Sequence, residues 1–261
     1  MSRAIFLGAG ASPGVPSISC GWGACNPKNP KNIRRRTSTF YEVNGAHILI
    51  DTSPDLRQEL LDNHISQIDG VCYTHAHSDH LHGIDELREI NRLTCQPLDI
   101  YAVDVTMDII QKRFSYLFDG ERSGDFYKSR AGLIPHLIAP MEAFEINGVK
   151  IVPLRLLGHN MPTFGYVIND EIVHVADFKT FSDEAWAYLK GIRIKLLVLP
   201  LTIIDFHQYH IGLKEALAYI DQLKPEKVVL NHMASECDYD YVNAHTPENT
   251  VPAYDNLKVE W

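Results

Sequence analysis

The stretch THAHSDHLHG, residues 74–83, places four histidines and one aspartate within eight consecutive positions. It begins where the apolar run Gly70–Tyr73 ends, so its first histidines lie in a turn at the carboxyl end of a predicted strand. In extended backbone, the side chains of His75 and His77 point to the same side. Without a cation to bind, imidazoles crowded in this way would repel and desolvate one another. The segment therefore predicts a metal site.

Three other apolar runs are followed by a histidine or an aspartate in the same relative place: Ile151–Leu157 before His159, Ile172–Ala176 before Asp177, and Lys227–Leu230 before His232. Side chains at the carboxyl ends of neighbouring strands converge, as they do in the active sites of layered α/β proteins. Taken singly, each of these residues is as well explained as a surface histidine or as a turn or cap aspartate. Together with the motif at 74–83, however, the pattern favours all three as metal ligands.

Short runs rich in valine, isoleucine, leucine and tyrosine recur along the chain, bounded by glycine, proline, asparagine and aspartate. They predict strands at 4–7, 47–50, 70–73, 98–103, 149–157, 164–168, 172–176, 195–199, 227–230 and 257–261. Helical periodicity predicts helices at 55–63, 84–92, 106–116, 183–189 and 213–223. We therefore expect an α/β protein with two sheets and outer helices in one domain, residues 1–261. Residues 117–135 have the pattern of a long loop, which is often a functional lid.

The composition is that of an ordinary globular protein: of 261 residues, 45% are hydrophobic and 22% are charged. The net charge of −9 argues against a broad binding surface for nucleic acid. The basic run Lys31–Arg36 predicts a solvated loop, with a phosphate-binding arm as the second interpretation. A cytoplasmic location is expected, because the sequence shows no membrane-spanning run, no signal-peptide pattern and no secreted disulfide framework.

The segment 74–83 has the pattern Thr-His-x-His-x-Asp-His-x-x-Gly and resembles the hallmark of the metallo-β-lactamase superfamily. The resemblance covers nearly the whole chain, from LGAGASPGVP (Leu7–Pro16) to LNHM (Leu230–Met233). It implies an αββα sandwich, in which two mixed β-sheets face each other, helices flank them and the metals lie at one edge.

Within the superfamily, the chain most resembles the phosphodiesterase branch. This branch holds the cyclic-phosphodiesterase of the carbon–phosphorus lyase pathway and, more distantly, RNase Z. The stretches that carry the likeness are LGAGASPGVP, LIDTSPDLR (Leu49–Arg57), GHNMPTFGY (Gly158–Tyr166) and the spacing from His210 to His232. Many hydrolases share the fold and the ligand set, so the branch is a finer expectation than the superfamily.

The resemblance implies two metal sites, with His75, His77 and His159 at the first ion, Asp79, His80 and His232 at the second, and Asp177 bridging both. Imidazole and carboxylate donors suit two divalent ions, zinc or manganese. Asp51 follows the predicted strand 47–50. It either orients a ligating imidazole or serves as a turn residue.

The same likeness implies that His210 is a catalytic and substrate-binding histidine that does not bind metal. A protonated imidazole there would stabilise charge on the phosphoryl oxygens or protonate the leaving alkoxide. Asp79 is the alternative proton donor, and His207 is the competing histidine. His82 is a candidate for substrate binding, with a supporting or helix-surface role as its alternative. His136 would belong to the lid region.

Relatives in this branch carry a structural zinc held by three cysteines and a histidine. Cys20, Cys25 and Cys237 are present here, but Trp22 stands near the position of the middle cysteine and Ser235 near that of the histidine. A complete zinc site has four ligands. We therefore predict that no structural zinc is bound there.

The predicted function is that of a binuclear metal-dependent phosphodiesterase, which hydrolyses a small nucleotide-like or sugar phosphodiester, cyclic ones included, by a metal-bridging hydroxide. The alternatives are a thioester or lactone hydrolase on the same site, an RNase Z-like endonuclease and, behind these, a non-catalytic sensor. The expected partner is a small-molecule phosphodiester or nucleotide. Nucleic acid and membranes are disfavoured as partners, and a homodimer is allowed.

Overall fold

Short strands and short helices alternate along the chain in the computed structural model, which describes residues 2–118 and 132–261. The strands are β1 (Arg3–Gly8), β2 (Ser38–Val43), β3 (Ala46–Ile50), β4 (Gly70–Cys72), β5 (Leu98–Ala102), β6 (Leu133–Leu137), β7 (Phe144–Ile146), β8 (Val149–Leu157), β9 (Thr163–Ile168), β10 (Ile172–His174), β11 (Thr180–Phe181), β12 (Leu196–Pro200), β13 (Lys227–Asn231), β14 (Thr250–Pro252) and β15 (Leu257–Glu260). The α-helices are α1 (Leu56–Asp62), α2 (Ser78–Leu81), α3 (Leu87–Thr94), α4 (Asp104–Arg113), α5 (Asp183–Lys190), α6 (Leu213–Leu223) and α7 (Tyr239–Ala244). Among the described residues, no helix has the length and apolar character needed to cross a membrane.

The described strands form two sheets. The first sheet has the order β15-β1-β2-β3-β4-β5-β6, and the second has the order β11-β8-β9-β10-β12-β13-β14, with β7 paired to β8. The first sheet is antiparallel from β15 to β3 and parallel from β3 to β6. The second is antiparallel from β11 to β10 and parallel from β10 to β14. Both sheets are therefore mixed, and the parallel strands of each share one carboxyl-end edge.

Side chains on β1 alternate between two hydrophobic cores, which explains the layers of the fold. Ala4 and Phe6 pack into the core between the two sheets, whereas Ile5 and Leu7 pack into the core under the helices of the first sheet. Strand side chains alternate with a period of two, so a strand buried on both faces needs apolar residues at nearly every position. The run Ala4–Leu7 meets this requirement.

Helices cover the outer face of each sheet. Leu56 of α1, Leu87 of α3 and Met107 of α4 belong to the core under the first sheet. Ala185 of α5 and Ala216 of α6 pack with the second sheet. The expected fold, two mixed β-sheets flanked by helices, is therefore confirmed.

The strands and helices expected from the sequence are all present, with ends that differ by a few residues. β9 and β10 form a hairpin, in which they pair antiparallel with Ile168 opposite Ile172. Asn169 and Asp170 turn the chain with φ values of 52° and 57°. These residue types tolerate the left-handed conformation that tight hairpin turns require.

The expectation of a loop over residues 117–135 is wrong at its carboxyl end, because Leu133–Leu137 form β6 beside β5. This strand lies at the end of the strand order of the first sheet, and its exposed Ile134 and its Pro135 give it an irregular pattern. Proline is tolerated in such an edge strand. The rest of that expected loop, residues 119–131, lies outside the described residues.

The basic run is not the solvated loop expected from its sequence. Arg34 is only 2% exposed, and its Nη2 donates to the Cys237 carbonyl at 2.9 Å while Nη1 lies 3.9 Å from Cys25 Sγ. Arg35 pairs with Asp62 at 2.7 Å, and Arg36 pairs with Asp55 at 2.6 Å. These charges tie the loop to the rest of the chain, which argues against a phosphate-binding arm.

Cys25 and Cys237 are buried, whereas Cys20 is exposed. Burial raises the pKa of Cys25, and it raises that of Cys237 to about 12. Such thiols remain protonated at neutral pH, and the Arg34 guanidinium contacts both residues. That no structural zinc is bound there stays a prediction.

Candidate metal centre

The histidine-rich motif begins just after β4 and runs into the short helix α2. His77 has extended backbone angles (φ −68°, ψ 153°) and is the N-cap residue of α2. The extended part carries His75 and His77, and the first helical turn carries Asp79 and His80. His75, Asp79 and His80 are buried. The change from strand to helix within the motif brings four side chains to one place.

Asp51, which follows β3, contacts both parts of this motif. Its carboxylate accepts hydrogen bonds from the Thr74 N–H at 2.8 Å and the Thr74 hydroxyl at 2.7 Å, and it lies 2.6 Å from His80 Nδ1. The Nε2 atom of His80 then lies 3.4 Å from Asp79 Oδ2 and 3.9 Å from Asp177 Oδ2. Asp51 thus orients an imidazole, and its effect on a bound metal stays a prediction.

Three residues at strand ends of the second sheet complete the arrangement. His159 follows β8, Asp177 follows β10 and His232 follows β13. Strands β10 and β13 run parallel on either side of β12, so their carboxyl ends lie at the same edge. Gly158 and His232 turn the chain there with φ values of 85° and 57°. The convergence expected for these strand ends is found.

The side chains gather into two groups, whose ligand atoms lie within 4.8 Å of one another: His75, His77, His159 and Asp177 in one, and Asp79, His80 and His232 in the other. In the first group, His77 Nδ1 lies 3.0 Å from His75 Nε2 and 3.2 Å from His159 Nε2. In the second group, His232 Nε2 lies 3.3 Å from Asp79 Oδ2. The structure brings together all seven residues expected to bind metal.

Asp177 lies between the two groups. Its Oδ2 atom is 4.0 Å from His159 Nε2 and 3.9 Å from His80 Nε2, and its Oδ1 atom is 3.3 Å from His232 Nδ1. The side chain is only 4% exposed. This is the position that a bridging carboxylate requires, and the bridging role itself stays a prediction.

The protonation states of the groups fit divalent cations. Burial lowers the pKa of His75, His77 and His159, which leaves these imidazoles neutral and able to donate a lone pair. Burial alone would raise the pKa of Asp79, but His80 and His232 hold it well below its usual range. Buried carboxylates and neutral imidazoles are the donors that zinc and manganese accept.

His80 gives a further test of the fit. Burial opposes its charge, but Asp79 and Asp51 raise the pKa of His80 to about 10. Its Nε2 atom is buried, and no described residue forms a hydrogen bond with it. A buried charge needs a partner. A cation in place of the proton on Nε2 would satisfy both the nitrogen and the carboxylates around it, so the residues fit a metal.

A cavity of about 310 Å³ opens onto both groups. Its wall includes ligand-group residues together with Ser12, Asn160, Thr202 and His210. The wall combines these polar and charged side chains with apolar surface from Ala11, Pro13 and Ala234. Strand ends and loops on a rigid scaffold are the usual location of such a site.

His210 lies on the cavity wall without belonging to either ligand group. Its Nδ1 atom is 3.4 Å from Thr202 Oγ1 and 3.9 Å from Asp177 Oδ1. Burial lowers the pKa of His210 to about 4, so the ring is neutral at pH 7. The ring centre of the competing His207 lies 5.2 Å from that of His210, and His207 is not among the described residues that line the cavity.

The other two candidate histidines lie elsewhere. His82 is exposed at the end of α2, and its ring contacts Phe114 at 5.8 Å. It is not among the described residues of the cavity wall, so the geometry favours its helix-surface alternative. His136 lies in β6 rather than in a lid, where its Nε2 is 2.7 Å from Asp99 and its ring stacks on Tyr101.

The N-terminal glycine-rich segment, residues 7–14, lies beside the cavity. Ala11, Ser12 and Pro13 line the wall. A Cβ atom at Gly8 would lie 1.9 Å from the Arg36 carbonyl oxygen, so only glycine allows this close approach. The segment therefore contributes its backbone shape to the site.

Thr202 and Asn160 were not among the residues expected from the sequence. Thr202 follows β12, the central strand of the parallel run, so the strand-end pattern that identified Asp177 and His232 applies to it as well. Asn160 directly follows His159. A hydroxyl or amide at such a position carries no metal signal, which is why neither stood out.

A family profile described as the beta-lactamase superfamily domain matches residues 46–233. The chain belongs to the metallo-β-lactamase superfamily. The expected fold and family are thereby confirmed, and with them membership in a superfamily of metal-dependent hydrolases.

Curated relatives within the superfamily carry several names. The octanoyltransferase of Porphyromonas gingivalis is 32% identical over 235 residues, which are 89% of this chain and 46% of that protein. Coenzyme PQQ synthesis protein B of Rhodopseudomonas palustris is 33% identical over 124 residues, 42% of this chain and 39% of that protein. The chain thus spans less than half the length of these curated relatives.

Solved structures of the superfamily match over the whole chain. A diphosphatase from the PhnP family has a TM-score of 0.88 and 27% identity, with 100% of this chain and 98% of that chain covered. Zinc-bound PqqB from Methylobacterium extorquens has a TM-score of 0.77 and 18% identity, with 99% and 100% covered. Human tRNase Z, short form, has a TM-score of 0.71 and 17% identity, with 99% of this chain and 98% of that chain covered. The similarity to PqqB and to tRNase Z shows a shared fold alone.

Proposed function

We propose that this protein is a metal-dependent phosphodiesterase that acts on a small nucleotide-like or sugar phosphodiester, cyclic ones included. The observation that carries the proposal is the position of His210. Its imidazole belongs to neither ligand group and lies on the wall of the cavity onto which both groups open. In a thioester or lactone hydrolase the metals would polarise a carbonyl, and His210 would matter less. Phosphoryl transfer benefits from it, because charge develops on the phosphoryl and leaving oxygens.

The ligand assignment is part of the proposal. His75, His77 and His159 would hold one divalent ion, Asp79, His80 and His232 would hold the second, and Asp177 would contact both, with zinc or manganese suited to these donors. Two such ions, when bound, supply Lewis-acid stabilisation and a hydroxide at neutral pH. Asp51 would keep the His80 ring in the orientation that leaves Nε2 for a metal.

His210 would act on the substrate itself. An anionic phosphodiester beside the ring would raise its pKa from about 4 and favour the protonated form. The imidazolium would donate its proton to the leaving alkoxide. Asp79 is the weaker candidate for this step, because its neighbours hold its pKa low and its carboxylate faces His232 and His80.

The size of the cavity and the pairing of surface charges support a small substrate. A cavity of about 310 Å³ suits a small molecule, and the salt bridges of Arg35 and Arg36 make these two charges less available to an RNA backbone. One domain over residues 1–261 is supported by the pairing of β1 with β15. A homodimer and a cytoplasmic location stay predictions.

The comparisons favour two reactions. The similar solved structure is that of a diphosphatase, which supports cleavage at phosphorus. The name octanoyltransferase supports a second candidate, an acyl-thioester hydrolase, with a lactone as the related carbonyl substrate. We place the thioester second, because His210 on the cavity wall would matter less in its hydrolysis.

The test is hydrolysis of bis-p-nitrophenyl phosphate by protein stripped of metal and reloaded with zinc or manganese. We expect metal-dependent turnover of this ester. On a nucleoside 2′,3′-cyclic phosphate, whose leaving alkoxide needs a proton, we expect His210→Ala to lower turnover about 100-fold, because a positioned acid contributes roughly that much. His245→Ala, at an exposed histidine after α7, is the matched control and retains wild-type turnover. A nucleoside cyclic phosphate, a diphosphate, an octanoyl thioester and a lactone complete the panel. Turnover of the thioester or lactone alone would refute the phosphodiesterase proposal.

A further inference from the structure

The ammonium of Lys179 lies behind His210 and contacts the main chain that carries it. Lys179 Nζ donates to the His207 carbonyl at 2.8 Å and to the His210 carbonyl at 3.1 Å. It also pairs with Glu215 at 2.6 Å, and the Lys179 side chain is only 20% exposed. Hydrogen bonds from a charged group are stronger than neutral ones. The cation therefore fastens the end of the segment 205–210, which we call the His210 segment.

The partners of Lys179 are themselves fixed. Glu215 belongs to the first turn of α6, and its Oε2 atom also accepts the Gly212 N–H at 2.9 Å. The Lys179 N–H donates to the Leu157 carbonyl at 2.8 Å, and the Lys179 carbonyl accepts the Tyr219 hydroxyl at 3.2 Å. Because both ends of the contact are anchored, the ammonium holds the segment at a defined place relative to β8 and α6.

The His210 segment has no regular secondary structure. Its side chains Phe206 and Tyr209 are 79% and 39% exposed, so they contribute little packing. The Lys179 ammonium also lies 4.4 Å from the centre of the Phe206 ring. Segments with few buried apolar contacts open more easily than strands and helices. A fixed cation is thus a main restraint among the described contacts of this segment.

We propose that Lys179 is a positioning residue, which holds the imidazole of His210 at the cavity wall. The proposal rests on the function proposed above for His210. Without the ammonium, two carbonyls lose a charged donor and Glu215 loses its counter-ion. The His210 ring then leaves the wall more often, while the ligand groups keep their places on strand ends and α2.

The first test compares Lys179→Met with Lys214→Met, a control at an exposed lysine of α6 next to Glu215. Each variant, loaded with metal, is assayed on bis-p-nitrophenyl phosphate and on a nucleoside 2′,3′-cyclic phosphate. Nitrophenoxide leaves without a proton, whereas an alkoxide needs one. We expect Lys179→Met to lower kcat about 10- to 100-fold on the cyclic phosphate and less than about threefold on the nitrophenyl ester. KM and bound metal per chain stay at wild-type values.

Further variants separate positioning from general damage. In a His210→Ala background, Lys179→Met produces no further loss of kcat, because the two residues act through one group. Glu215→Gln, which keeps a neutral acceptor for Lys179, gives a smaller loss in the same direction. Equal losses on both substrates, a further loss in the His210→Ala background, or a loss of bound metal would each overturn the proposal.

A second measurement does not depend on activity. Amide hydrogen exchange in residues 205–212 of the metal-free protein should be at least about tenfold faster in Lys179→Met than in Lys214→Met or the wild type. An exchange rate in Lys179→Met equal to that of the wild type would show that Lys179 does not restrain the His210 segment. If the wild type hydrolyses neither diester, the proposed function fails, and hydrogen exchange still decides whether Lys179 holds the segment.

Discussion

In the first sheet, one continuous segment carries His75, His77, Asp79 and His80, whereas in the second sheet each contributing residue stands at the end of a different strand. The continuous half takes its geometry from local backbone, namely an extended pair followed by one helical turn. The dispersed half takes its geometry from sheet register, because β10 and β13 must both align with β12. Local geometry forms with few constraints, and register requires the whole sheet.

The difference shows up in what holds each half in place. The carboxylate of Asp51 contacts the continuous half at both Thr74 and His80. The dispersed half depends on the pairing of β10 and β13 with β12. The two halves meet through contacts between the sheets. A single substitution at Asp51 should therefore alter the geometry of the continuous half. The geometry of the dispersed half should change only when the pairing of the strands changes.

The largest expected effect breaks the continuous half at its anchor. Asp51→Asn removes the negative charge beside His80 Nδ1 and one acceptor of the Thr74 bonds, while asparagine tolerates the φ of 61° found there. We expect affinity for at least one metal ion to fall about 10- to 100-fold, measured by competition with a chelator. Asp69→Asn is the control, since Asp69 accepts from the His47 N–H at the other end of β3. Wild-type affinity in Asp51→Asn would show that the motif needs no outside anchor.

A smaller effect is expected from a bond that joins the halves. The Tyr166 hydroxyl of β9 donates to the Tyr73 carbonyl at 2.6 Å, and both residues are buried. Tyr166→Phe leaves that carbonyl without its donor and should lower the free energy of unfolding by about 1–2 kcal/mol, measured in urea. Tyr241→Phe, at an exposed tyrosine, should change it by less than about 0.5 kcal/mol. Equal stability of the two variants would mean that the halves dock without this bond.

A third prediction contrasts the acids of the centre with a buried acid outside it. Histidines hold the pKa of Asp79 and Asp177 below its ordinary value, although burial opposes this. Glu59 in α1 has no such neighbours, is fully buried, and has a pKa well above its ordinary value because of burial. The unfolded chain then releases a proton that the folded chain keeps. The contribution of Glu59 to stability is therefore lost as the pH rises above the unfolded pKa.

Glu59→Gln removes this dependence. Relative to the wild type, its free energy of unfolding should rise by up to about 1.4 kcal/mol per pH unit from about pH 5 upward. Urea unfolding of both proteins at several pH values measures the slope, and Glu248→Gln, at an exposed residue, should show none. A difference between wild type and Glu59→Gln that stays constant with pH would contradict the assigned shift.

The continuous half was open to prediction, because its residues and their spacing lie in one line of sequence. His82 shows the limit of this, since four histidines in the motif suggest four at the site. The turn of α2 leaves the ring of His82 exposed against Phe114. The dispersed residues were found only through the strand-end pattern, which fails for Thr202 because a threonine carries no metal signal.

Strands with mixed character were missed for related reasons. β2 contains Ser38 and Thr39, which are buried polar residues, so its apolar pattern is broken. β6 contains Pro135 and lies at the sheet edge. Lys179 is harder still, because its role depends on carbonyls at 207 and 210 that only the folded chain brings near. Every residue has a main-chain carbonyl, so the residue types do not indicate which carbonyls accept a hydrogen bond from Lys179.

The pairing of β15 with β1, in which Arg3 lies opposite Glu260, has a consequence for how a ribosome makes this chain. Synthesis delivers β1 long before β15. One edge of β1 therefore stays without this partner until residues 257–260 have been made. Exposed edges of this kind recruit strands from other chains. Stalled or truncated translation products that end before residue 257 should be the species most prone to aggregate.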